Sequence, residues 1–112
     1  NKKLCYYTSG VGRDCYILVE FPTVKKISKV IAVVQPEGNM AGKSVDVEVR
    51  VGNTTNVAPN FGTFAFFGTY PTPTVHSEEM VFDDFAPMWG KFVSIQETNP
   101  NYPLLVCHLE IF

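Results

Sequence analysis

The stretch Val45-Asp46-Val47-Glu48-Val49-Arg50-Val51 decides the fold class. Its valines alternate with Asp46, Glu48 and Arg50. Successive side chains of a strand point to opposite faces, so this period of two describes a strand with one buried and one wet face. Gly52-Asn53 then ends it, because both residue types favour turns. Further strand candidates lie on either side. Tyr16 to Phe21 is mostly apolar and stops at Pro22, and Lys29 to Gln35 is rich in β-branched residues and stops before Pro36, Gly38 and Gly42. Phe61 to Tyr70 is aromatic, with breaks at Gly62 and Gly68. Glu79 to Phe82, Lys91 to Gln96 and Leu104 to Phe112 complete the set, the last with Leu105, Cys107, Leu109 and Ile111 on one face. No segment carries a sustained helical period. The eight Gly and eight Pro fall mainly between the strand candidates. Short strands at regular spacing with such turn signals predict an all-β sandwich or barrel.

The chain of 112 residues is read as a single domain, 1–112. Its 46% hydrophobic content, with nine Phe, is enough to build a core. A net charge of -2 and basic clusters no longer than Lys2-Lys3 and Lys25-Lys26 exclude a phosphate-tracking surface, so no nucleic-acid partner is expected. The apolar runs Val30 to Val34 and Leu104 to Cys107 are too short to span a bilayer. The first residue is Asn1, not Met, which reads as removal of a leader or of a larger precursor.

Cys5, Cys15 and Cys107 have no metal-ligand spacing, and His76 and His108 are isolated. In a secreted protein the odd count means one disulfide and one further thiol, free or bonded to another chain. In a cytosolic one all three are reduced core residues. Asn53-Thr54-Thr55 is a glycosylation sequon, and it favours a secreted surface loop.

Five segments carry a family resemblance. GKFVSIQ (Gly90 to Gln96) and PLLVCHLEIF (Pro103 to Phe112) resemble the closing strands of F5/8 type C (discoidin) domains, above all of the F-type lectins or fucolectins. DVEVRVGN (Asp46 to Asn53) is similar to their central strand ending in Val-Gly-Asn. CYYT (Cys5 to Thr8) and YILVEF (Tyr16 to Phe21) are similar to the Cys-x-His-Thr segment and the strand after it. The matches run in family order over nearly the whole chain.

The resemblance implies a jelly-roll β-sandwich of about eight strands in its full form. It also implies a disulfide between Cys5 and Cys107. Closing a loop of about a hundred residues restricts the unfolded chain by about 4–5 kcal/mol in the entropy model. Cys15 has no family counterpart. The family's first strand and its Asp-Gly-Asn loop precede the early Cys, where this chain has only Asn1 to Leu4. The domain is therefore expected to lack part of its N-terminal segment, as a fragment of a longer chain or through loss.

F-type lectins hold fucose with a His and two basic residues around an Arg-x-Asp pattern. The His position falls on Tyr7, the first Arg near Gln35 or Pro36, and the Asp near Gly38. The second basic position is kept as Lys43. An ammonium does not reproduce a planar guanidinium fork, so the fucose motif is degenerate. Tyr7, Gln35 and Lys43 are the candidate ligand-binding residues. The bland alternatives are a Tyr7 ring packed beside a disulfide and a solvated Lys43. The family's calcium site uses the absent upstream loop and an acidic residue where His108 stands. No cofactor is expected, with calcium the one ion the resemblance brings into question.

Trp89 is expected in the core rather than on a binding rim. The five aromatics between Phe61 and Tyr70 cannot all face one core: either some are exposed as a partner surface, or both sides of the strand are covered. Glu78, Glu79, Asp83 and Asp84 read as a solvated acidic loop. No nucleophile elbow, phosphate loop or metal motif occurs. The expected function is a non-catalytic extracellular module that recognises a glycan or glycoprotein through loops at one end of the sandwich. The alternative is a structural domain packed within a larger secreted assembly through Phe64, Phe66 or Phe67. A membrane surface is not the expected partner.

Overall fold

The valine alternation becomes a central strand. In a computed structural model of the protein, β4 (Val47–Gly52) buries Val47, Val49 and Val51 and turns Glu48 and Arg50 to the other face. The structure describes residues 6–7, 10, 12–33, 46–54, 61–70, 79–83, 86–102 and 104–112. Asp46, expected inside the strand, precedes it in the left-handed region with φ of 60°. Asp tolerates that conformation better than a β-branched residue does. Its carbonyl accepts the Thr98 hydroxyl at 2.6 Å.

Three antiparallel pairings build the main sheet, in the order β2 (Tyr16–Ile27), β7 (Met88–Glu97), β4 and β5 (Ala65–Tyr70). A second sheet runs β6 (Glu79–Phe82), β3 (Val30–Val33) and β9 (His108–Ile111). β1 (Tyr6–Tyr7) pairs with β8 (Leu105–Val106). Among the described residues the only helical element is a 3-10 turn at Gly12–Asp14. The all-β sandwich expected from the alternation is the observed fold.

β6 has the bounds the sequence predicts. β2 runs past Pro22 because the proline falls where the ladder is interrupted, between the Glu20–Phe92 and Lys25–Gly90 pairs. Pro lacks the N–H a ladder needs and is tolerated on an edge strand such as β2. The C-terminal run is not one strand. The chain leaves its pairing with β1 at Val106 and pairs with β3 from His108, while the Cys107 N–H donates to the Val33 carbonyl at 2.7 Å. Leu105 and the Leu109–Ile111 pair therefore belong to different sheets, not to one face.

The inner face of the main sheet is apolar. Val93 of β7 lies between Val19 and Val51, and Ile95 lies between Ile17 and Val49. Val30, Ala32, Met80 and Phe82 of the second sheet are buried in the same core. Gly68 admits the Phe82 ring, which lies 3.4 Å from where a Gly68 Cβ would stand. Burying each Val, Ile or Phe side chain stabilises the fold by about 1.5–3 kcal/mol.

The outer face is covered too. The Phe64 N–H donates to the Phe61 carbonyl at 3.0 Å, closing a turn in which Phe61 has φ of 59°. That turn sets Phe61 and Phe64 on Phe92 as a second buried cluster. Ring centroids are 5.6 Å apart for Phe61–Phe64 and 6.2 Å for Phe64–Phe92, and Tyr16 meets Phe61 edge-on at 5.0 Å. Gly52 permits it, since a Cβ there would overlap the Phe64 ring. Phe67 points the other way into the main core, and Phe66 lies half-buried with the Arg50 guanidinium 5.5 Å from its centroid. Both sides of the aromatic segment are thus covered by the chain itself. Phe64 and Phe67 are enclosed, and of the three rings named for the assembly reading only Phe66 is partly exposed.

Candidate binding site

Strand direction sorts the loops. β4 begins, β7 ends, β2 begins and β5 ends at one end of the sandwich, as the pairs Val47–Glu97, Tyr16–Gln96 and Val47–Tyr70 show. Val33, Glu79 and His108 form one rung of the second sheet. The connections 34–45 (Val33 to β4) and 71–78 (Tyr70 to β6) therefore join strand ends on this side, as does 98–104 after Glu97. Tyr7 lies on β1 opposite Leu105. Gln35 and Lys43 belong to the 34–45 connection and lie outside the described residues.

On the outer face of the main sheet is a polar frame that the sequence reading missed. Arg13 Nη1 donates to Gln96 Oε1 at 3.2 Å, and Gln96 Nε2 returns a bond to the Arg13 carbonyl at 2.7 Å. Glu48 Oε1 accepts from Arg50 Nε at 2.9 Å and lies 3.8 Å from Arg13 Nη1. Arg50 Nη1 donates to the Phe64 carbonyl at 3.0 Å. Gly12, with φ of 77°, donates its N–H to the Tyr102 carbonyl at 2.9 Å, and a Cβ there would press on Pro100 at 3.3 Å. Glu97 is fully buried and accepts the Asn99 N–H at 2.9 Å. These bonds dock the 12–15, 61–64 and 98–102 segments on the sheet, so they position loops. Glu48 and Arg50 were legible as an outward pair in the alternation. Arg13 and Gln96 were not, because only the fold brings them together across eighty-three positions.

The chemistry available is that of binding. Among the described residues, no group of three His, Cys, Asp or Glu side chains could hold a metal ion. His108 Nε2 and Glu110 Oε2 are 3.1 Å apart, but both side chains are about half exposed on the edge strand β9. Solvent screens such a pair to well under 1 kcal/mol. Glu79 and Asp83 are exposed, while Glu78 and Asp84 lie outside the described residues. Cys15 is a buried free thiol, and Cys5 lies outside the described residues.

Trp89 corrects the sequence reading. It is 63% exposed, not in the core. Its rung lies beyond the ladder interruption, opposite Lys26. The space beside it is already filled: a Cβ on the next residue, Gly90, would overlap Val51 and come within 2.9 Å of the Gly52 carbonyl. Trp89 and the exposed Asn53 stand together at the end of the sandwich away from the 34–45 and 71–78 connections.

Two solved structures are similar to this chain in fold. The first is CBM32-1 from a family 31 glycoside hydrolase of Clostridium perfringens. It aligns with a TM-score of 0.73 and 11% identity, over 96% of this chain and 75% of that one. The second is an F-lectin (fucolectin) from the serum of the striped bass, Morone saxatilis. It aligns with a TM-score of 0.73 and 15% identity, over 96% of this chain and 35% of that one. The chain has the discoidin-like β-sandwich fold. No family model matches the sequence, and no curated protein does. In this chain the Arg13–Gln96–Glu48–Arg50 frame ties the 12–15 and 61–64 segments to the main sheet.

Proposed function

We propose that this chain is a non-catalytic extracellular binding module that recognises a glycan or a glycoprotein through the loops above Glu97 and Val47. The observation that carries the reading is the likeness in fold to two proteins whose names state carbohydrate binding. Topology supports the choice of end, since the 34–45, 71–78 and 98–104 connections all meet strand ends there. In this reading Tyr7 supplies a ring for a sugar face, and Gln35 and Lys43 donate to sugar hydroxyls. With Lys43 as the one retained family anchor, single-site affinity is low, and several copies in one assembly raise it. No resident metal takes part, because His108 stands at the family's acidic calcium position.

A disulfide between Cys5 and Cys107 belongs to the same reading. Tyr6 pairs with Val106 and Tyr7 with Leu105. This pairing of the strand after the early Cys with the strand before the late one supports the bridge that the resemblance implies. Peptide mapping without reductant would recover the linked pair; free thiols at both positions would refute it.

A glycan array probed with and without calcium tests the function. Expected is binding to one class of glycan, unchanged by calcium and lost in Tyr7→Ala and Lys43→Ala. Failure of the folded chain to bind any glycan overturns the reading.

A further inference from the structure

We propose that Asn53 carries an N-linked glycan whose first N-acetylglucosamine packs on the Trp89 indole. Three observations meet at this point of the fold. Asn53 heads the sequon Asn53-Thr54-Thr55. It is exposed in the bend that follows β4, where an acceptor asparagine must be. Trp89, the most exposed of the large hydrophobic side chains described, lies beside it: Asn53 Nδ2 donates to the Trp89 backbone carbonyl at 3.4 Å.

The linkage chemistry suits that hydrogen bond. In the transfer, Asn53 Nδ2 attacks the anomeric carbon of an oligosaccharide carried on a polyprenyl diphosphate. The N–C1 bond forms. The C1–O bond breaks, and its electron pair leaves with the lipid diphosphate. One amide proton is lost to a base of the transferase. The second N–H stays on Nδ2, so the linked side chain still donates to the Trp89 carbonyl. That bond holds the side chain, and with it the first sugar, next to the indole.

The indole in turn has a reason to accept a sugar. The Trp89 side chain is 63% exposed, and an aromatic face left in water forgoes the stabilisation that burial gives. The C–H face and N-acetyl group of the first sugar are apolar enough to cover it. Lys26 faces Trp89 across the β2–β7 ladder, and Val24 nearby on β2 is exposed too, so the surroundings are open enough for a glycan. The site lies at the end of β4 away from the proposed recognition loops. It rests on the extracellular part of that reading but not on its ligand, since the site is at the other end of the fold from those loops.

The test uses the whole chain secreted from a eukaryotic host. Intact mass is measured before and after peptide N-glycosidase, together with Asn53→Gln and Thr55→Ala. Expected is a glycan mass that the enzyme removes and that both variants lack. A chain secreted in folded form without that mass overturns the proposal. Indole contact is read by nuclear Overhauser effects between the Trp89 ring and the N-acetyl methyl group. These should be present in the glycoprotein and lost in Trp89→Ala, which keeps full occupancy because the sequon is intact. In the folded protein the enzyme should also release the glycan more slowly than from the denatured chain, and Trp89→Ala should shrink that difference. An occupied Asn53 with no ring-to-methyl effect, released equally fast with and without Trp89, overturns the packing.

Discussion

The two faces of the main sheet are covered by different means, the inner fully and the outer in part, since Tyr16 and Leu18 on β2 stay exposed. The inner face is a continuous apolar layer in which Val49, Val51, Val93 and Ile95 meet the buried side chains of the second sheet. The outer face mixes three Phe rings with Gln96, Ser94, Glu48 and Arg50, and a turn of only four residues lies across it. One face is held by area. The other is held by a ring cluster seated on a glycine and by directional bonds from an arginine and a glutamine. A face of the first kind tolerates change in polar contacts and punishes lost volume, whereas the second should respond to both, less strongly to each.

Paired truncations compare the faces most directly. Phe67→Ala removes a ring that is wholly enclosed in the main core, and its loss should cost about 3–5 kcal/mol. Phe64→Ala removes a ring from a cluster whose rim, Tyr16, is 43% exposed. The neighbouring side chains there have room to relax, so about 2–3 kcal/mol is expected. Chemical denaturation of both variants checks the order. Equal losses would mean that the outer cluster is as enclosed as the core.

A glycine gives the next largest effect. A Cβ on Gly52 would overlap the Phe64 ring, so Gly52→Ala should destabilise by about 1–3 kcal/mol through overpacking. The cause is specific, and a double-mutant cycle exposes it. With Phe64 already cut to Ala, the methyl of Gly52→Ala has space, and the two losses should fall short of additivity by about 1 kcal/mol or more. Additive losses would place the cost in the strand backbone and not under the ring.

This contrast also explains what was legible in the sequence. The inner face announces itself, because period-two valines have one reading and Lys91 to Gln96 repeats it beside them. The outer face does not. Phe61 and Phe64 sit in the same run as the strand residues Phe66 and Phe67, and nothing local says that the chain turns at Phe61 with a positive φ while Gly62 follows it. Trp89 was misplaced for a related reason. An aromatic next to a strand is usually core, and only the contact of Gly90 with Val51 shows that the space was taken. The candidate ligand residues came from the family pattern alone, whereas the polar frame depends on Arg13 and Gln96 meeting across the fold.

The smallest effect separates the faces by sign. Ser94 stands on the outer face between Leu18 and Arg50, 1% exposed, and its hydroxyl has no hydrogen-bond partner among the described residues. A hydroxyl held away from water without a partner carries a desolvation cost of about 1–3 kcal/mol, and replacing it by an apolar group of similar shape removes that cost. Ser94→Ala should therefore leave stability unchanged or raise it by up to about 1 kcal/mol, after the small loss of packed volume is set against the relief. Two rungs away Gln96 is as buried, but it accepts a bond from the Arg13 guanidinium and donates one to the Arg13 carbonyl. Gln96→Ala strands the Arg13 carbonyl and should cost about 1–3 kcal/mol. Thermal melts of the two variants side by side decide the matter. A loss in Ser94→Ala as large as that in Gln96→Ala would mean that the serine hydroxyl is paired in solution and that the outer face is bonded along its whole length.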